Sequence, residues 1–247
     1  MMKFTLYIFA TLFFLTGCDK DPAQEIVDRS IEAHGGNIFD HVHIEFDFRN
    51  RHYTSHRQEG LFTYTREFND TSGRVKDVLT NDSFHREIDG DRAKITEERA
   101  KAFTNSVNSV IYFALLPYGL NDPAVVKKYV KETEIKGKKY HLINVTFLQE
   151  GGGKDHEDVF LYWIDKDSHT MDYFAYSYES DGGGVRFREG INKRRIGGIL
   201  FQDYINYEPR DSTISLDDME RLYKDGQLKK LSEIVHEEIK VKSLPKV

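Results

Sequence analysis

Val42-His43-Ile44-Glu45-Phe46-Asp47-Phe48 is where the periodicity of this chain changes. Ile44, Phe46 and Phe48 fall on one face and His43, Glu45 and Asp47 on the other. Strict alternation marks a strand with one face buried and one wet. The segment before it has helical spacing. Asp21-Pro22-Ala23-Gln24 reads as an N-cap, an N1 proline and a Gln at N3, and Ala23, Ile26, Val27, Ser30, Ile31 and His34 share a face. Gly35-Gly36 supplies the left-handed stop, with His34 favoured as the last helical residue by the helix dipole.

Further strands are expected over 60–68, 74–80, 83–88, 92–96, 139–149, 158–165, 170–179, 185–195 and 198–207, each bounded by turn-forming residues. Leu231, Val235, Ile239 and Val241 alternate as one last strand. A second helix is expected over 105–116. Val107, Val110, Ile111, Ala114 and Leu115 form its stripe, and Tyr112, Phe113 and Leu116 make its back apolar too. Such a helix is buried or covers an apolar cavity. Pro117 ends it, Asn121-Asp122-Pro123 is expected to restart a short helix to about Tyr129, and Ser215 to cap one over 216–223. Strands and helices do not alternate, which excludes doubly wound sheets and (β/α)₈ barrels. The expected class is α+β, mostly antiparallel β: a single domain of about ten strands as a curved sheet or open barrel, with helices on one side.

Composition narrows the function classes. The 247 residues carry 41 acidic and 35 basic side chains, a net charge of -6, which disfavours nucleic acid as a partner. With 39% hydrophobic and 13% aromatic residues the chain is not disordered. One cysteine excludes an intramolecular disulfide and a Cys-rich metal site. That cysteine follows an address: Lys3, an uncharged, mostly apolar run over 4–16, then Leu15-Thr16-Gly17-Cys18. The run is too short to span a bilayer and fits a secretory signal. Small residues before a cysteine resemble the bacterial lipobox, which implies removal of 1–17, acylation of Cys18 and a single soluble domain over 18–247. The location expected is the cell envelope, at the outer membrane. Asp19 would favour the inner membrane under enteric sorting rules, which differ between bacterial groups.

Taken with the lipobox, the helix ending in His34-Gly35-Gly36, the meandering strands and the apolar mid-chain helix, the chain resembles the LolA-like lipoprotein-sorting superfamily of lipid carriers. More narrowly it resembles uncharacterised envelope lipoproteins with segments like Tyr112-Phe113-Ala114-Leu115-Leu116-Pro117-Tyr118-Gly119-Leu120 and Gln149-Glu150-Gly151-Gly152-Gly153. The resemblance implies an incomplete, open β-barrel with helices packed on its concave face, a half-barrel holding acyl chains. The leading expectation is therefore a non-catalytic protein binding a lipid, acyl chain or lipophile, lined by Phe46, Phe48, Val110, Ile111, Leu115 and Trp163.

Two other readings stay open. Two glycine triplets, one followed by Lys154-Asp155-His156-Glu157-Asp158 and one preceded by Glu179-Ser180-Asp181, fall at the same end if the flanking strands run up and down. That rim would gather Glu150, Asp155, His156, Asp158, Glu179 and Asp181 with Arg186 just below. Its carboxylates suit a divalent ion or general acid/base work in a hydrolase, although tight hairpins with acidic tips explain the same residues. A protein-binding scaffold is the third reading. His41, His43, His52 and His56 lack zinc-site spacing and read as a solvated strand face. Lys127, Lys128 and Lys131 read as a solvated helical face, and Lys193-Arg194-Arg195 as a patch for anionic head groups. No cofactor or catalytic motif is present: there is no P-loop and no Gly-x-Ser-x-Gly elbow.

Overall fold

The computed structural model describes residues 21–150, 157–178, 183–211 and 213–246. Helix α1 (Ala23–His34) starts where the Asp21 carboxylate accepts the Ala23 N–H at 2.9 Å, and it stops at Gly35, whose φ of 147° lies in the region favouring glycine. A 3₁₀ turn (Gly36–Asp40) then leads into β1 (His41–Phe48), β2 (Arg51–Gln58), β3 (Leu61–Asp70), β4 (Gly73–Thr80), β5 (Phe84–Ile88) and β6 (Asp91–Arg92). These form an antiparallel sheet in sequence order, extended beyond β1 by β14 (Glu237–Ser243). Arg49-Asn50 and Glu59-Gly60 both have positive φ, the two-residue hairpin geometry whose twist matches that of the strands.

Helix α2 (Glu97–Ala114) follows, with Thr96 accepting the Arg99 N–H at 3.3 Å as its N-cap. It begins eight residues before the expected start at 105, and the expected strand over 92–96 shrinks to β6. The second sheet is β7 (Val125–Ile135), β8 (Lys138–Phe147), β9 (Val159–Asp165), β10 (Met171–Tyr178), β11 (Gly184–Ile196), β12 (Ile199–Glu208) and β13 (Lys229–Ile234), again antiparallel in sequence order. Between β12 and β13, a 3₁₀ turn over Leu216–Asp218, with Ser215 accepting the Asp217 N–H, runs into α3 (Met219–Lys224), as expected.

Three expectations are corrected. The short helix expected over 121–129 is the start of β7, so Lys127, Lys128 and Lys131 lie on a strand and not on a helical face. Val125, Val126, Tyr129 and Val130 satisfy a helical spacing, but pairing of Val125 with Phe147 and Tyr129 with Ile143 decides for strand. The single last strand is two, β13 and β14, one in each sheet. With β2, a polar stretch not marked as a strand by its sequence, these raise the described strands to fourteen rather than about ten.

The two sheets form an incomplete antiparallel barrel. Where β13 passes into β14, the chain changes sheets at His236, whose N–H donates to the Asp203 carboxylate at 3.0 Å. Arg194 donates to the same carboxylate and to the His236 carbonyl, so this corner is held by a half-buried ion pair and its neighbours. At the other end the edge strands β6 and β7 remain unpaired with each other. α2 spans the interior between the sheets. Val107, Ile111, Ala114 and Leu115 pack on the first sheet with Ile44, Phe46, Tyr53 and Tyr64, while Tyr112 and Phe113 reach the second with Phe160, Tyr162 and Phe174. α1 covers the same concave face of the second sheet through Ala23, Ile26 and Val27. The second sheet is also apolar outside, where Leu161, Trp163, Tyr173 and Phe187 lie under Met219 and Leu222 of α3.

Candidate ligand-binding site

α2 fills most of the space between the sheets, and what it leaves is a pocket of about 170 Å³ at its C-terminal end. Ile111, Tyr112 and Leu115 of α2 form one wall, and Ala124, Val125 and Phe147, from the start of β7 and the end of β8, form the apolar wall opposite. Arg57 of β2, Tyr64 of β3, Tyr118 and Asp122 close the polar end. The geometry follows from strand parity. Tyr53, Ser55 and Arg57 share the concave face of β2, and Tyr64 and Arg66 that of β3. Pro117, in a cis peptide with Leu116, is followed by the 3₁₀ turn Tyr118–Asn121, which turns the chain from α2 to β7 and sets Tyr118 against Phe39, with ring centroids 4.7 Å apart.

The polar end is a connected network. Arg57 donates to the Tyr64 hydroxyl and, at 3.2 Å, to the Tyr118 hydroxyl, and its guanidinium lies 4.6 Å from the centre of the Tyr118 ring. Tyr118 in turn donates to Asp40 at 2.9 Å. Burial raises the Asp122 carboxyl above its ordinary range, with Arg57 and Lys127 pulling it back down. Deeper in the interior the Tyr112 and Tyr162 hydroxyls are 3.0 Å apart, and burial pushes both well above the usual phenol value. Such a site offers a trough with an apolar wall and, at one end, a cation, a carboxyl group and several hydroxyls.

Of the residues expected to line a cavity, Ile111 and Leu115 line this pocket. Phe46 is fully buried beneath α2, stacked on Tyr53 at 5.4 Å, while Phe48 and Val110 are half-buried against the same cluster. Trp163 points to the other side of its sheet, where its indole N–H donates to Glu220 at 3.0 Å. Parity puts it there: Phe160, Tyr162 and Ile164 face the interior, and Leu161 and Trp163 face α3. Arg57, Tyr64, Tyr118 and Phe147 were not singled out by sequence. Tyr118 lies within the Tyr112–Leu120 segment that carried the family resemblance, and that was the available signal.

The expected rim is described in part. The β8–β9 and β10–β11 connections do lie at one end of the second sheet, as Val145 pairs with Phe160 and Tyr178 with Gly184. Glu150 is exposed there and Asp158 half-buried; Asp155, His156, Glu179 and Asp181 lie outside the described residues, as does Cys18. Arg186 sits 5.3 Å from the Tyr178 ring and 3.9 Å from Glu208. Among the described residues no three His, Cys, Asp or Glu side chains converge as metal ligands. His43 and His52 instead pair on the outer face with Glu45 and Asp47. The three cations of the expected head-group patch have partners within the fold: Lys193 pairs with Asp172, Arg194 with Asp203, and Arg195 donates to the Ala33 carbonyl, with Lys193 and Arg195 exposed. No described helix is long and apolar enough to cross a membrane.

Residues 2–236 match a family of unknown function, DUF6503. No curated protein matches the sequence. Among solved structures the chain is similar to a DUF1329 family protein from Desulfovibrio piger, at 11% identity over 90% of this chain and 92% of that one, with a TM-score of 0.50. A LolA superfamily protein from Nitrosomonas europaea aligns at 10% identity over 90% and 94%, with a TM-score of 0.48. A putative outer membrane lipoprotein-sorting protein domain from Vibrio parahaemolyticus aligns at 9% over 81% and 97%, with a TM-score of 0.45. Identities this low speak to fold and leave function to the site itself.

Proposed function

This chain belongs to the family of unknown function DUF6503, and we propose that it is a non-catalytic envelope protein that binds a hydrophobic ligand between its two sheets. The observation that carries this reading is α2, wedged between the concave faces of the two sheets and leaving a trough whose apolar side runs along Ile111, Leu115, Val125 and Phe147. The trough is smaller than the roughly 300 Å³ at which ligand pockets begin. A long-chain ligand therefore displaces α2 from part of the interior, exchanging one set of apolar contacts for another. The N-terminal half of α2 suits such a shift: Glu97, Glu98, Arg99, Lys101 and Ala102 are exposed, and burial begins in earnest at Val107. In this reading Cys18 carries the lipid that holds the body at the membrane.

The test is native mass spectrometry of the full chain purified from envelopes, with organic extraction of the same sample beside an unrelated envelope protein. A lipophile bound at one per chain is the expected result. Ala124→Phe fills the trough from the β7 side and should abolish that adduct while the protein stays folded. An adduct that survives Ala124→Phe and resists competition by added lipophile would place the ligand elsewhere. The mass of the N-terminal peptide, with and without Cys18→Ser, reads the anchor separately.

A further inference from the structure

The whole chain is acidic, yet the wall around α2 is not. Arg57 stands at the pocket, Arg66 donates to Ser106 of α2 at 2.7 Å, Arg86 lies 3.6 Å from the Phe103 ring centre, and Arg188 lies 4.2 Å from that of Phe113. Asp77 and Asp122 accompany these four guanidiniums. Asp77 is shared by Arg66 and Arg86, so that group keeps a net positive charge inside the protein. Arg188 donates to the Tyr176 hydroxyl at 3.0 Å, its Nε has no partner, and no described carboxylate pairs with it. A buried cation left without a counter-ion is costly, and the interior accumulates several.

Arg57 is the member that meets empty space. Two of its N–H groups are used, on the hydroxyls of Tyr64 and Tyr118, and a guanidinium has five. Its Nε is buried without a partner, and no described carboxylate forms an ion pair with it. Asp122, in the same pocket, is the carboxylate whose charge acts on it, and so the one a bound anion would compete with. A planar fork with free donors at the end of an apolar trough matches a carboxylate or phosphate carried on a hydrocarbon tail.

We propose that the ligand is an anionic amphiphile, whose head group takes the free donors of Arg57 while its tail lies along Ile111, Leu115, Val125 and Phe147. This rests on the binding function proposed above and names its ligand class. Tyr64 and Tyr118 orient the guanidinium, and the preference for an anion rests on Arg57, with the single net charge of the group of Arg66, Asp77 and Arg86 and that of Arg188 adding a weaker background of the same sign.

The test is displacement of a neutral lipophilic dye from the full chain at pH 8, using competitors with one tail and different heads. Dodecanoate and dodecyl phosphate are expected to displace it at concentrations about tenfold lower than dodecanol or dodecyltrimethylammonium, the scale of a charge-assisted hydrogen bond. Inorganic phosphate and acetate are expected not to compete at the same concentrations. Arg57→Gln should bring the four tailed competitors together, and Arg57→Lys should keep much of the preference. Equal displacement by dodecanoate and dodecanol in the unaltered protein overturns the inference while sparing the binding function. A preference that persists in Arg57→Gln also overturns it, and so does phosphate competing as well as dodecyl phosphate. Absence of dye binding and of displacement by any tailed compound overturns both. The comparison in the unaltered chain needs no variant, so a poorly folded Arg57→Gln does not decide it.

Discussion

Arg66, Asp77 and Arg86 meet on the concave face with two cations on one carboxylate. Both Nε groups and both terminal nitrogens reach Asp77 at 2.6–2.9 Å. Removing that carboxylate strands two buried guanidiniums, so Asp77→Asn should lower stability by roughly 3–5 kcal/mol in urea unfolding. Two buried histidines act in the opposite sense to a paired one. Burial lowers His34 and His236 to about 4, although Ser30 and Asp203 respectively pull upward. The unfolded chain takes up protons near pH 6.5 that the folded chain refuses until about pH 4, so stability is full above 6.5 and falls as pH is lowered through that window. Denaturant midpoints measured from pH 8 to 5 should fall, and the double variant His34→Gln, His236→Gln should flatten the slope. At the pocket, Asp122→Asn removes the carboxylate that competes for Arg57 and should tighten binding of dodecanoate several-fold, read by the same dye displacement.

α2 is two half-helices in energetic terms. Its first turns are solvated and capped, and Thr96→Ala should cost about 1 kcal/mol. Ile111 is 1% exposed and packs on the first sheet, so Ile111→Ala should cost about 3 kcal/mol, both read by urea unfolding. If the second half were a loose flap, the two values would be alike. The apolar face of α2 was legible because Val107, Val110, Ile111, Ala114 and Leu115 keep helical spacing whatever they meet. Its start was not, because Glu97, Glu98, Lys101 and Ala102 bury little and leave no stripe to read. β2 escaped for a related reason: its concave face is Tyr53, Ser55 and Arg57, so an inward residue at the site is charged. β7 was misread because six residues with apolar positions in adjacent pairs satisfy both periods, and the partner that settles the matter, β8, is named nowhere in the local sequence.

At the scale of the whole molecule the two sheets differ in what covers them. The first is wet outside, where His43, His56, Lys76 and His85 lie half-exposed. The second has helices on both faces, and β9 and β10 are its centre. Amide hydrogen exchange should therefore be slowest in β9 and the first half of β10, and fast in β5 and β6 at the free edge, by orders of magnitude. Comparable exchange across both sheets would mean that helices on both faces do not make the second sheet the more stable one. Period-two patterning and the helix stop at Gly35-Gly36 were enough to read a mostly antiparallel curved sheet or open barrel flanked by helices, because alternation and capping depend on neighbours within a few residues; the half-barrel with concave-side helices came with the family resemblance. Which face Trp163 joins, that β13 and β14 part into different sheets at His236, and that Arg57 meets Tyr118 across 61 residues depend on segments meeting in space. A strand apolar on both faces carries no mark of inside and outside, and a charged residue acquires its meaning from the partners it lacks. Those are properties of the assembled interior, and they are where the ligand site lies.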